Sequence, residues 1–323
     1  ITRLEVPATW PKMDEYDESI DYVLEDPKMI DPNDTNKWIT VTCPKEIEYY
    51  LILQNCRHFG QAETDGTPFT TNKYKEKFDW MATSKQAEMV LAGEFEDDDI
   101  NDISMMILQN TKQKTPETVD AYITKEDFMG KMKAWRESTS TSPGSKRHLG
   151  HSKALLTPPP SGLTKDEREE WKRRQDNILD CYVLVINCCI KYKYVLERWK
   201  KVTNMMIYKE EGNVKIHRLR IIHLYEADMS LMWGVHWRNA MKRAVNERTL
   251  HQGQYGGLPG RDCTTVCFME ETRFEYSALT RYPMANFDNN ASSCYDRILT
   301  LLASLCGRAQ GINRDVIFIH AKT

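Results

Sequence analysis

A chain of 323 residues with 41% hydrophobic content can bury a substantial core, and one large or two modest globular domains are expected. Its longest apolar run, Tyr182 to Ile190 with Asn187 inside it, is far too short to span a bilayer, and no charged-then-apolar signal segment opens it. The net charge of −3 hides an asymmetry: residues 1–130 hold 13 Lys plus Arg against 27 Asp plus Glu, whereas residues 131–323 hold 31 against 20. The first residue is Ile1, which reads as a piece of a longer product.

Residues 1–40 are rich in Asp, Glu, Pro and Asn with little periodicity, the pattern of an extended or disordered acidic lead. A helical upstream region over 41–130 follows, with helical spacing in Pro44 to Asn55 and in Tyr74 to Leu91, then an acidic break from Glu94 to Asp99. Helical spacing returns over 116–136, where Pro116 suits an early position and Phe128, Met132 and Trp135 recur at three and four. Ser138 to Ser145 and Thr157 to Gly162 are loops. Thr164-Lys165-Asp166-Glu167 opens a long helix running towards Lys200 with a capping box. Two strand-like runs, Val202 to Tyr208 and Arg218 to Leu224, flank a turn at Glu211-Gly212-Asn213, which predicts a hairpin. Met229 to Val245 and Arg297 to Gly307 are helical, and a short alternating segment from Met284 reads as a strand. No internal repeat is present, and the fold class is α+β.

The basic half, net +11 over residues 131–323, can attract a phosphate backbone although the whole is near neutral. Lys146, Arg147, Lys153, Lys200, Lys201 and Arg261 are the candidate nucleic-acid contacts. The run Lys172-Arg173-Arg174 reads more simply as a solvated helical face. Nine cysteines include no Cys-x-x-Cys pair, and reduced core thiols in an intracellular compartment, the nucleus included, are expected rather than zinc. Cys263 and Cys267 sit four apart, as residues on one helical face do.

Met284-Ala285-Asn286-Phe287-Asp288-Asn289-Asn290-Ala291-Ser292-Ser293-Cys294-Tyr295-Asp296-Arg297-Ile298 resembles motif A of reverse transcriptases. His251 to Arg261, with Gln254-Tyr255-Gly256-Gly257 and Pro259-Gly260-Arg261, is similar to the segment preceding that motif in retroelement polymerases. Lys215 to Leu224 and Met205 to Gly212 resemble the strands of the fingers hairpin. Trp135 to His151, and Asn55 to Ala62 with Thr67 to Thr70, look like the lead-in blocks of a non-LTR type subfamily. Each match alone is short; their fixed order over most of the chain carries the resemblance.

The resemblance implies a helix-rich lead-in followed, over 131–323, by reverse-transcriptase-like fingers and a partial palm with a mixed sheet. Such enzymes let divalent ions neutralise charge in an in-line phosphoryl transfer. It implies Mg2+ as cofactor, RNA or DNA template and primer as partners, dNTP in an intact relative, and no membrane. By position, Lys209 and Arg220 are the triphosphate contacts, Gln254 and Gly256 shape the pocket floor, Asp288 is the metal-binding carboxylate and Asp296 the structural Asp. Lys209 and Arg220 read equally as sheet-edge charges, and the two adjacent glycines read equally as a turn.

Two departures bear on activity. Counting six back from Asp296, the metal-ligand position holds Asn290, a neutral and weaker ligand, while Asp288 emerges roughly 6 to 7 Å away along a strand. No Tyr-x-Asp-Asp-like hairpin lies between Asp296 and Thr323. The expectation is a degenerate or truncated copy, inactive alone. A non-catalytic nucleic-acid-binding or assembly protein derived from a polymerase is the alternative, and a purely structural helical protein a third.

Overall fold

The computed structural model describes residues 1–15, 24–64, 67–112, 120–136, 153–251, 253–258, 260–286 and 298–322. The first turns of the chain are extended, as expected, but paired. Strand β1 (Leu4–Pro7) lies antiparallel to β2 (Trp38–Val41), with Leu4 opposite Val41 and Pro7 opposite Trp38. Leu4 and Val6 are wholly buried, so this short strand anchors a core despite its acidic neighbourhood. Helix α1 (Pro44–Thr64) packs Ile47, Tyr50 and Leu53 on it, together with Ile216 and Leu219 from far down the chain. The helix passes Asn55, where the sequence suggested an end, because no proline intervenes.

The single helix expected over Tyr74 to Leu91 is two, α2 (Asn72–Phe78) and α3 (Lys85–Ala92). Asp79 breaks it by adopting a left-handed φ of 61°, and its carboxylate accepts the amide of Met81 at 3.3 Å. Ser84 then caps α3 by accepting the Ala87 amide at 3.1 Å. These helices and α4 (Asp102–Asn110) bury Phe78, Ala87 and Leu108 against Leu301 and Leu305 of α9 (Thr300–Ala309). The acidic break is tied down by ion pairs from Lys77 to Asp97 and from Lys73 to Asp99, the latter at 2.7 Å.

Of the helix expected over 116–136, residues 116–119 lie outside the described residues, 120–124 are not helical, and helix begins at Lys125. The reason is a capping box: Thr124 and Asp127 satisfy each other's backbone donors at the start of α5 (Lys125–Ala134). Helix α6 (Lys165–Tyr192) opens with the expected box of Thr164 and Glu167. It stops short of Lys200, because Lys193 takes the left-handed conformation at φ 54° and caps it. That stop frees Arg198 and Trp199 to reach α7 (Ala227–Asn246). Phe128 and Met132 of α5, Ile186 and Ile190 of α6, Leu231 and Val235 of α7, and Val316 and Ile319 of α10 (Arg314–Ala321) form the largest core.

Strands β3 (Thr203–Tyr208) and β4 (Leu219–Leu224) form the expected antiparallel hairpin, with Gly212 at φ 79° in its turn. The α+β class holds. A mixed palm sheet does not form among the described residues, which hold two separate two-stranded antiparallel sheets. They touch through the Glu5 amide, which donates to Val214 O at 3.0 Å, and through Lys215 Nζ at 2.8 Å from Glu5. Residues 283–286 at the start of the motif A stretch form no strand, and 287–297 lie outside the described residues.

The expectation of core thiols fails for most cysteines. Cys189 is buried, whereas Cys43, Cys56, Cys181, Cys263, Cys267 and Cys306 are exposed. The reason is clearest in α8 (Cys263–Thr280), which carries two of them and buries none of its residues.

Candidate nucleic-acid interface

The hairpin has two unlike faces, fixed by its register. Asn204, Met206 and Tyr208 lie opposite His223, Ile221 and Leu219; on this face Leu219 is buried and Met206 packs on the core of β1 and α1, while Asn204, Tyr208 and His223 stay exposed. The other face carries Thr203, Met205 and Ile207 opposite Leu224, Ile222 and Arg220. Met205 is 48% exposed and Ile207 50%, so this apolar face is open, with Arg220 as its charged member. The Arg220 side chain has no ion-pair or hydrogen-bond partner among the described residues.

Lys209 directly follows β3, and its amide donates to Arg218 O at 3.0 Å. The connecting turn is cationic. Burial, with the nearby charges of Arg218, Lys215 and Lys209 and against weaker opposition from Asp26, pushes the His217 imidazole down to about 4. Lys215 is paired with Glu5, and Arg218 with Glu210 at 3.2 Å. Thus the structure brings Lys209 and Arg220, the expected triphosphate contacts, to one end of one hairpin.

Other expected contacts are occupied. Lys153 Nζ donates to Met132 O at 3.2 Å and to Trp135 O, capping the C-terminal carbonyls of α5 instead of facing solvent. Arg261 Nη1 donates to Gln254 O, and its guanidinium lies 5.1 Å from the Tyr255 ring centre. Gln254 Nε2 donates to Gly256 O at 3.0 Å and Gly257 sits at φ 75°, so this loop is a turn that braces itself. Lys200 pairs with Glu197 at 2.7 Å; Lys201 is exposed. The solvated-face reading of Lys172 to Arg174 agrees with the structure: Glu170 accepts from both Arg173 and Arg174, which hold its carboxyl down at about 2.

Asp288, Asn290, Asp296, Lys146 and Arg147 lie outside the described residues. Just before the motif A residues, a groove of about 410 Å³ is lined by Thr272, Arg273, Tyr276, Ser277, Tyr282 and Met284. Among the described residues no three His, Cys, Asp or Glu side chains group as a metal site, and no helix is long and apolar enough to cross a membrane.

A buried ionic node, invisible to sequence reading, holds the hairpin's exit. Asp228 accepts from both terminal nitrogens of Arg198, one at 2.8 Å, and from Trp199 Nε1 at 2.9 Å. Arg198 also meets Glu226 at 3.3 Å. The partners are 28 to 30 residues apart, and only their types, an Arg-Trp pair and two acids at a helix start, hinted at it. No protein-family model, curated protein or solved structure matches this chain.

Proposed function

We propose that this chain is the fingers and first part of the palm of a reverse-transcriptase-like protein of non-LTR type, which binds RNA or DNA template and primer but does not polymerise alone. The observation that supports the reading is the hairpin of β3 and β4. It joins Lys209 and Arg220 at one end, with Arg220 opposite Ile207 on the open face. Arg presents a planar fork suited to phosphate oxygens, and Lys a point charge that complements it. Both stand on a paired two-stranded element, so their backbone positions are set before binding and only the side chains remain to be ordered.

Magnesium belongs to this reading by resemblance. Its expected ligand, Asp288, is outside the described residues, and the described carboxylates do not assemble around a cation. The chemistry proposed for these residues therefore stops at binding and positioning.

Primer extension tests the reading. The chain by itself, with magnesium and dNTPs, is expected to give no product above a no-protein control. Joined to the remaining palm and thumb of a related element, it is expected to stay nearly inactive until Asn290→Asp is introduced. Asn289→Asp is expected to fail, because alternate strand residues face opposite ways. Incorporation by the chain alone, or equal rescue by both substitutions, would overturn the assignment.

A further inference from the structure

We propose that Phe59, His223 and Tyr225 form a stacking platform for unpaired bases of a single-stranded nucleic acid, at the open end of the hairpin. The proposal rests on the chain binding nucleic acid, not on its polymerase ancestry. The His223 ring lies 5.3 Å from Phe59 and 6.3 Å from Tyr225, and His58 adds a fourth ring 6.0 Å from Phe59. Large rings are ordinarily sequestered, yet Phe59 is 38% exposed and Tyr225 39%. They come from two elements far apart in sequence, the helix α1 and the end of β4, so folding gathers them on one surface.

The cluster is held in place from beneath. Asn204 lies opposite His223 in the register, and its side-chain oxygen is 2.7 Å from His223 Nδ1. Thr203 pairs with Leu224 at this end, one residue before Tyr225, and the exposed Lys201 lies two residues before Thr203. Exposed rings beside lysine match what unpaired strands need, since every base has a π-face and every linkage a phosphate. A duplex hides its base faces and cannot use such a surface. Among the described residues, Asp26 is paired with Arg57 at 2.8 Å and Glu226 with Arg198.

The test is a fluorescence-anisotropy titration of the whole chain with four labelled probes: a thymidine homopolymer, a uridine homopolymer, an abasic strand of equal length and charge, and a blunt duplex. Binding to either homopolymer is expected to be about tenfold tighter than to the abasic strand. Phe59→Leu with Tyr225→Leu is expected to abolish that preference, and Phe59→Trp with Tyr225→Trp to retain it, each with an unchanged thermal midpoint. Equal binding of abasic and base-bearing strands would overturn the platform while leaving charge-driven nucleic-acid binding intact. Absence of binding to every probe would overturn both. If the leucine variant unfolds, loss of the preference in the folded tryptophan variant, or its absence in the parent chain, still refutes the proposal.

Discussion

Replacing Asp228 with alanine removes the acceptor on which the hairpin's exit into α7 depends. Its side chain is 2% exposed and receives both Arg198 nitrogens, Trp199 Nε1 at 2.9 Å and its own helix's Met229 amide at 3.0 Å. The Trp199 side chain is wholly buried, so its indole N–H would lose the Asp228 acceptor without access to water. An orphaned buried donor costs about 1–3 kcal/mol. Arg198 is 38% exposed and keeps Glu226 at 3.3 Å, so its guanidinium partly rehydrates. Breaking a fully buried pair costs about 3–5 kcal/mol, and that exposure places Asp228→Ala near the lower bound, about 3 kcal/mol. Asp228→Asn keeps one acceptor oxygen and is expected to lose about half as much. Urea unfolding followed by far-ultraviolet circular dichroism at neutral pH measures both. A loss below about 1 kcal/mol for the alanine variant would refute the node as the element that fixes the segment before β3 on the start of α7.

Acid is expected to weaken the fold through His236, which is 2% exposed and pushed down to about 4 by burial, against weaker opposition from Asp120 and Asp127. The unfolded chain takes up that proton near pH 6.5, the native state only near 4, so stability falls as pH drops through this window. The full shift corresponds to about 3 kcal/mol, and His236→Phe should flatten urea midpoints measured between pH 7 and 4; an equal acid loss in that variant would contradict it. Gly234→Ala in α7 is expected to be neutral or to stabilise by up to about 1 kcal/mol. The new Cβ would meet only the far end of Lys131, whose Nζ lies 2.6 Å away and can swing aside. A thermal midpoint lowered by several degrees would show that Lys131 is fixed there.

Much of the hairpin and the helices around it was legible because local chemistry decides them. Thr164 with Glu167, Gly212 in the turn, and the alternation on either side of it specify structure within a few residues. What escaped were features set by distant partners. The β1 strand is too short to show a period, and its burial depends on Ile216 and Leu219. The break at Asp79 depends on a side chain binding its own backbone, which a helical spacing count does not register. Among site residues, Lys209 and Arg220 fell together because the hairpin was readable. Lys153 and Arg261 looked like phosphate contacts from charge alone, yet each is consumed by nearby carbonyls. The rings of Phe59 and Tyr225 gave no sequence signal, since only folding makes them neighbours of His223.

The open hairpin face as the place where nucleic acid is met can be tested by charge reversal. Binding of a labelled primer and template is followed across a series of salt concentrations for the parent chain and for Lys209→Glu with Arg220→Glu. If both cations neutralise phosphates, the plot of log affinity against log salt should flatten by about 2 in slope, and affinity at low salt should fall more than tenfold. An unchanged slope and affinity would place nucleic acid elsewhere on the protein and contradict the account.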